Sequence, residues 1–150
     1  MEIADDFPVT APASKVWGLL WDFPRLAACL PGCEEITPVD EKTYKANMKQ
    51  SVGPFTIQVE MTFNVTETVQ GERVAFSGSG TDRLGNRLRI DRAWVALSAT
   101  SREETQVSYS AEVIMTGKLA TLGYPVVKRK TRDMGVEFSR RLVAELEALR

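Results

Sequence analysis

The chain has 150 residues, 43% of them apolar and 26% charged, with 19 Lys and Arg against 20 Asp and Glu and no histidine. That balance suits one globular domain over residues 1–150, and it argues against a disordered polymer, a disulfide scaffold or a nucleic-acid binder. Lacking histidine, the chain has no Ser-His-Asp or Cys-His nucleophile, no zinc site that mixes His with other ligands and none of the commonest general base, so it reads as noncatalytic.

Ile3, Phe7 and Val9 mark a first strand over about 2–10, after which Val16, Trp17, Leu19 and Leu20 fall at helical spacing. A helix is expected over about 13–21, with Ser14 or Thr10 as its cap and Pro12 tolerated in its first turn. Asp22-Phe23-Pro24 interrupts it, and Arg25 to Leu30 reads as a second short helix ended by Pro31-Gly32. From Cys33 the period changes to two. Tyr44, Ala46 and Met48 alternate with polar residues, Gly53-Pro54 makes a turn, and Phe55, Ile57, Val59, Met61, Phe63 and Val65 then alternate without a break. Such alternation belongs to an antiparallel strand with one wet face.

Val74 and Phe76 begin the next strand, Leu88 to Leu97 another, and Thr105 to Met115 a last one, with turns near Gly71, Gly85 and Glu103. Between Arg87 and Leu97 the parity breaks, which predicts a bulge near Asp91-Arg92. With the bulge Arg92 is exposed; without it Arg92 and Trp94 point inward. Pro125 then opens a long helix whose apolar stripe runs Val126, Val127, Met134, Phe138, Leu142, Leu146 and Leu149, with Lys130 snorkelling from it. The predicted fold is α+β of the helix-grip type: a curved antiparallel sheet gripping a long C-terminal helix, with two short helices after the first strand.

Three phrases stand out: Ala28-Cys29-Leu30-Pro31-Gly32-Cys33-Glu34, Val52-Gly53-Pro54, and Gly117-Lys118-Leu119-Ala120-Thr121-Leu122-Gly123. With Val16-Trp17 and Asp22 before them, they resemble the carbon monoxide dehydrogenase CoxG family of the START/Bet v 1-like (SRPBCC) superfamily. The resemblance covers nearly the whole chain. It implies a small accessory protein for a molybdenum hydroxylase of the carbon monoxide dehydrogenase type, holding an apolar ligand such as menaquinone or ubiquinone and associated with membrane recruitment or delivery of an electron acceptor. No covalent cofactor and no metal are expected.

The inward face of the meander supplies the candidate cavity: Met48, Phe55, Ile57, Val59, Met61, Phe63 and Phe76 from the earlier strands, then Trp94, Tyr109, Val113 and Met115. Val127, Met134 and Phe138 of the last helix would close it. Gly78 and Gly80 occupy successive positions on one strand face and remove volume there, while methionines offer an adaptable lining. Half a dozen buried methylenes of a ligand, at about 0.8 kcal/mol each, contribute about 5 kcal/mol before ordering costs. Tyr109 is the preferred polar group, since its hydroxyl can donate to a ligand carbonyl. In an enzyme reading, Tyr109, Tyr44 and Asp22 are the nameable acid or base groups.

Cys29 and Cys33 form a C-x3-C pair read as buried thiols, and the resemblance places them with Leu30, Pro31 and Leu122 near a pocket rim. Gly78-Ser79-Gly80 lacks the context of a phosphate loop. Residues 1–75 hold 6 basic and 11 acidic side chains, whereas residues 76–150 hold 13 and 9. Lys128, Arg129 and Arg132 lie early in the last helix, where the macrodipole disfavours them by roughly 0.3–1 kcal/mol each. A solvated face explains them, and a patch for anionic lipid or an acidic enzyme partner is the functional alternative. No apolar run approaches the roughly 18 residues of a membrane span, and Met1 to Asp6 lacks a signal-peptide pattern. The expected location is the cytoplasm, including the inner face of the cell membrane.

Overall fold

The computed structural model describes residues 1–148, so Leu149 of the predicted stripe lies outside the described residues. Its elements are β1 (Glu2–Val9), α1 (Ala13–Leu20), α2 (Phe23–Cys29), β2 (Cys33–Pro38), β3 (Thr43–Val52), β4 (Phe55–Val69), β5 (Arg73–Thr81), β6 (Arg87–Ser101), β7 (Glu104–Thr116), a 3₁₀ turn (Gly117–Thr121) and α3 (Tyr124–Glu147). Seven antiparallel strands form one sheet in the order β1-β7-β6-β5-β4-β3-β2. The meander runs from β2 to β7, and β1 then closes its far edge by pairing Ile3 with Ala111 and Val9 with Thr105.

Period-two alternation makes β4 the register strand. Ile57, Val59 and Met61 are buried while Thr56, Gln58 and Glu60 face water. The bulge expected at Asp91-Arg92 is present: pairing with β7 slips between Asp91 and Trp94, and Arg92 adopts φ 47°. Arg92 therefore points outward with its side chain 82% exposed and pairs with Glu112. Further slips near Glu67, Ser77 and Thr100 add bends of the kind that curl a sheet around a helix.

Several local expectations are corrected. The cap of α1 is Pro12, whose carbonyl accepts from Lys15 and Val16, and neither Ser14 nor Thr10 caps by side chain. Helix α2 already begins at Phe23, because Pro24 fits a first helical turn where its missing N–H has no partner to lose. Cys33–Pro38 is an edge strand in its own right, which alternation alone does not single out, since its residues are half-buried or exposed along their length. The 3₁₀ turn before α3 was also not read from the sequence.

Helix α3 packs along β1 and α2 and reaches the end of β3. Gly135 permits the β1 contact: a Cβ there would lie 3.1 Å from the Phe7 ring. Below α3 the interior divides into two apolar clusters. One gathers Val9, Val16, Trp17, Leu19, Cys29, Leu97, Val107, Phe138 and Leu142 beneath α1 and α2. The other gathers Ile3, Ile57, Val59, Met61, Leu119, Leu122 and Val127 at the opposite end of the sheet.

Candidate functional site

The site is built on the seam between those clusters. Phe7 from β1 lies 6.1 Å from Phe138 of α3 and 6.4 Å from Tyr109 of β7, measured between ring centroids. Phe63 and Phe76 meet edge to face at 5.9 Å on the neighbouring strands. Each residue reaches this face because strand parity sends every second side chain inward, and because the Arg92 bulge restores parity for Ala93, Val95 and Leu97. Aromatic edges, thioether and methyl groups line the seam. The polar group among them is the Tyr109 hydroxyl, whose oxygen is buried and finds no hydrogen-bond partner.

An orphaned hydroxyl of this kind is uncommon, because desolvating it without a partner costs about 1–3 kcal/mol. A ligand carbonyl placed at the seam would relieve that cost and fix the ligand's orientation. At the edge of the seam Asp5 lies opposite Tyr109 in the strand register, and its carboxylate accepts from Arg132 Nε at 3.0 Å. The Asp6 backbone N–H, and then Arg132, hold the Asp5 carboxyl below its ordinary range.

The predicted lining separates into groups. Ile57, Val59, Met61 and Val127 are buried in the second cluster, with Met48, Phe55, Phe63, Tyr109, Val113 and Met115 packed partly exposed against it. Met134 is half-buried on the same helical face as Val127 and Phe138, and Phe138 belongs to the first cluster. Trp94 is not part of the lining. With Ala93 and Val95 inward it lies on the outer face of the sheet, where the Arg73 guanidinium stacks 5.3 Å from its ring centre.

Gly78 and Gly80 do not open a void. Phe63 pairs with Gly78 and Met61 with Gly80, and those two side chains lie across the glycines. An added Cβ would meet the Phe63 ring at 2.6 Å and the Met61 sulfur at 2.7 Å. The volume removed by glycine is returned by the cross-strand partner.

The predicted rim divides between the two clusters. Cys29 is buried under α2 with Leu30 packed beside it, while Leu122 belongs to the second cluster. Pro31 and Gly32 form a turn clamped on β3, with the Pro31 carbonyl accepting from Gln50 Nε2. A Cβ on Gly32, at φ 78°, would collide with the Lys49 carbonyl. Burial pushes both the Cys29 and the Cys33 thiols up, so they are weak nucleophiles at neutral pH. Tyr44 donates to the Glu41 carbonyl and stacks on Phe23, and Asp22 pairs with Arg25, so neither joins Tyr109.

Two open concavities mark the surface. One of about 260 Å³ is lined by Tyr124, Pro125, Lys128, Arg129 and Arg132, and one of about 220 Å³ lies beside Met1, Val113, Ile114, Met115 and Ala120. Among the described residues no helix is long and apolar enough to cross a membrane, and no three His, Cys, Asp or Glu side chains are grouped to hold a metal.

Asn86 is the residue that pattern reading missed. It is 6% exposed, its Oδ1 accepts from the Lys118 and Leu119 backbone N–H groups, and its Nδ2 donates to Asp82. The β5–β6 loop thereby pins the Gly117-Lys118-Leu119 turn and the start of α3. The signal lay in the loop sequence Asp82-Arg83-Leu84-Gly85-Asn86, in which Asp and Asn side chains favour turn hydrogen bonds.

A bent sheet, one terminal helix and an apolar seam carrying a lone hydroxyl define a helix-grip protein of the START/Bet v 1-like class. The chain's similarity to solved structures agrees: a conserved protein from Geobacillus kaustophilus is 18% identical with TM-score 0.87, covering 99% of this chain and 96% of that one. A START superfamily protein from Mycobacterium smegmatis is 10% identical with TM-score 0.73, covering 99% of each chain. The ZhuI aromatase/cyclase from Streptomyces sp. R1128 is 14% identical with TM-score 0.68, covering 98% of this chain and 93% of that one. Within that class the chain belongs to the carbon monoxide dehydrogenase CoxG family, whose pattern matches residues 6–146. No curated protein sequence matches it.

Proposed function

We propose that this protein is a noncatalytic carrier that takes a hydrophobic molecule with a carbonyl-type acceptor into the seam, a quinone being the chemistry that fits best. Family membership supports service to a molybdenum hydroxylase of the carbon monoxide dehydrogenase type, as delivery of its electron acceptor. The observation that carries the reading is the buried Tyr109 hydroxyl without a partner, set among Phe7, Phe63 and Phe138. A quinone ring presents flat apolar faces to aromatic edges and a carbonyl oxygen to that donor. Its isoprenoid tail would extend among Met48, Met61 and Met115, whose flexible thioethers adapt to irregular chains.

A cyclase-type enzyme, as the ZhuI likeness invites, would need an acid or base within the seam. There Tyr109 stands without a carboxylate to activate it, since Asp5 is held by Arg132.

The test is to denature freshly purified protein, analyse the organic extract by mass spectrometry and ultraviolet absorption, and titrate stripped protein with short-chain menaquinone and ubiquinone analogues. The expected result is a stoichiometric lipid or saturable uptake, weakened roughly three- to tenfold in Tyr109→Phe by loss of one hydrogen bond. An empty protein that takes up neither analogue overturns the carrier reading and leaves a recruitment factor without ligand.

A further inference from the structure

The antiparallel meander sends alternate turns to opposite ends of the sheet, and the two ends differ in charge. At one end lie the turns after β2, β4 and β6, bearing Asp40, Glu41, Glu72 and Glu103. At the other lie the Gly53-Pro54 turn, the Asp82–Asn86 loop, the 3₁₀ turn and the start of α3. The contacts of Asn86 with Lys118 and the approach of Gly53 to Leu122 and Val126 hold these segments together. Over residues 53–54, 82–86 and 117–129 the one acid is Asp82. Its two oxygens are engaged inward, by the Leu84 and Asn86 backbone N–H groups and by Asn86 Nδ2. Arg83, Lys118 and Arg129 are exposed, and Lys128 leans over the Tyr124 ring at 5.7 Å.

Apolar side chains project from this same end. Leu84 is 81% exposed, Tyr124 43% and Val126 40%. An apolar tip on a loop, a tyrosine and a valine on the first helical turn, and a surround of cations are the parts of an interfacial membrane anchor. Arg132 does not contribute, because Asp5 holds it. Val39 and Val69 are exposed too, but they sit at the acidic end.

We propose that the protein docks on an anionic lipid bilayer through this end, inserting Leu84, Tyr124 and Val126 between headgroups that Arg83, Lys118, Lys128 and Arg129 pair with. The bilayer is chosen over an acidic protein because the apolar groups are scattered tips on convex turns, which enter a headgroup layer without needing a matched hollow. The helix dipole of α3 adds positive potential on the same side.

The proposal does not depend on the carrier reading, since its residues are not those of the seam, and Tyr109→Phe should bind vesicles as the native protein does. The experiment is cosedimentation of the full chain with vesicles of phosphatidylcholine alone or mixed with phosphatidylglycerol. Binding is expected for the mixed vesicles, with release as salt rises. Lys128→Gln with Arg129→Gln should lower partitioning about twentyfold, at about fivefold for each cation. Leu84→Ser with Val126→Ser should lower it about tenfold, and Val39→Ser should leave it unchanged. No binding to anionic vesicles overturns the proposal, as does binding indifferent to both pairs. Retention on immobilised polyglutamate without vesicle binding overturns it too, by giving the face to a protein partner.

Discussion

Replacing Asn86 by alanine tests how the start of α3 is held. The amide is almost wholly buried, and its Oδ1 accepts from Lys118 N at 2.8 Å and more weakly from Leu119 N at 3.4 Å. Alanine removes the first bond, worth about 1 kcal/mol, and leaves the buried Leu119 N–H unpaired at a cost of about 1–3 kcal/mol. The sum is about 3 kcal/mol, which for a domain of this size lowers the melting temperature by roughly 6–12 °C. Urea denaturation gives the free energy, and amide exchange gives its location. The Lys118 and Leu119 amides should lose protection more than those of β4, because the loop and turn separate before the sheet melts. A loss under about 0.5 kcal/mol, the range of ordinary surface changes, would refute the view that Asn86 ties the β5–β6 loop to the helix.

Gly78→Ala places a methyl against the Phe63 ring and should destabilise by about 1–3 kcal/mol; Phe63→Leu in the same chain should recover part of it, and strict additivity of the two changes in denaturant melts would show that the glycine does not serve that ring. Glu137, bonded by Arg140 and then Arg141, is lowered from 4.5 to about 2. A depressed carboxyl stabilises the fold above its unfolded value and ceases to do so as pH falls through its folded one, so the melting temperature of native protein should drop more steeply than that of Glu137→Gln between about pH 5 and pH 2. Parallel curves in calorimetry would contradict the Arg140–Glu137–Arg141 network.

The elements that the sequence announces are those with a strong period. β4 alternates over most of its length and α3 carries a stripe ending in Phe138 and Leu142, so their register and buried faces follow from residue order. The Arg92 bulge was legible because parity fails on either side of it. β2 and the 3₁₀ turn were not, because tertiary hydrogen bonds define them: β2 by pairing with β3, and the turn by an amide 32 residues away. Gly78 and Gly80 misled for a related reason. A missing side chain shows in the sequence, but the partner that leans into its place depends on strand register, which is set across the sheet. The site likewise became specific through Tyr109: its inward parity was readable, whereas the lack of a partner for its hydroxyl is a property of everything around it.

The pairing of β1 with β7 also bears on the birth of the chain. Val9 waits for Thr105 and Ile3 for Ala111, so the first strand leaves the ribosome with its apolar face and both edges unprovided for until about a hundred more residues have followed. At about 5–20 residues per second that interval is roughly 5–20 s, long against the microseconds in which hairpins form. The β3–β4 and β4–β5 hairpins can assemble during the wait, while Ile3, Phe7 and Val9 remain a sticky leader. Closure of the sheet is thus the last event of synthesis, and a ribosome stalled before β7 would display an unpaired strand that chaperones recognise.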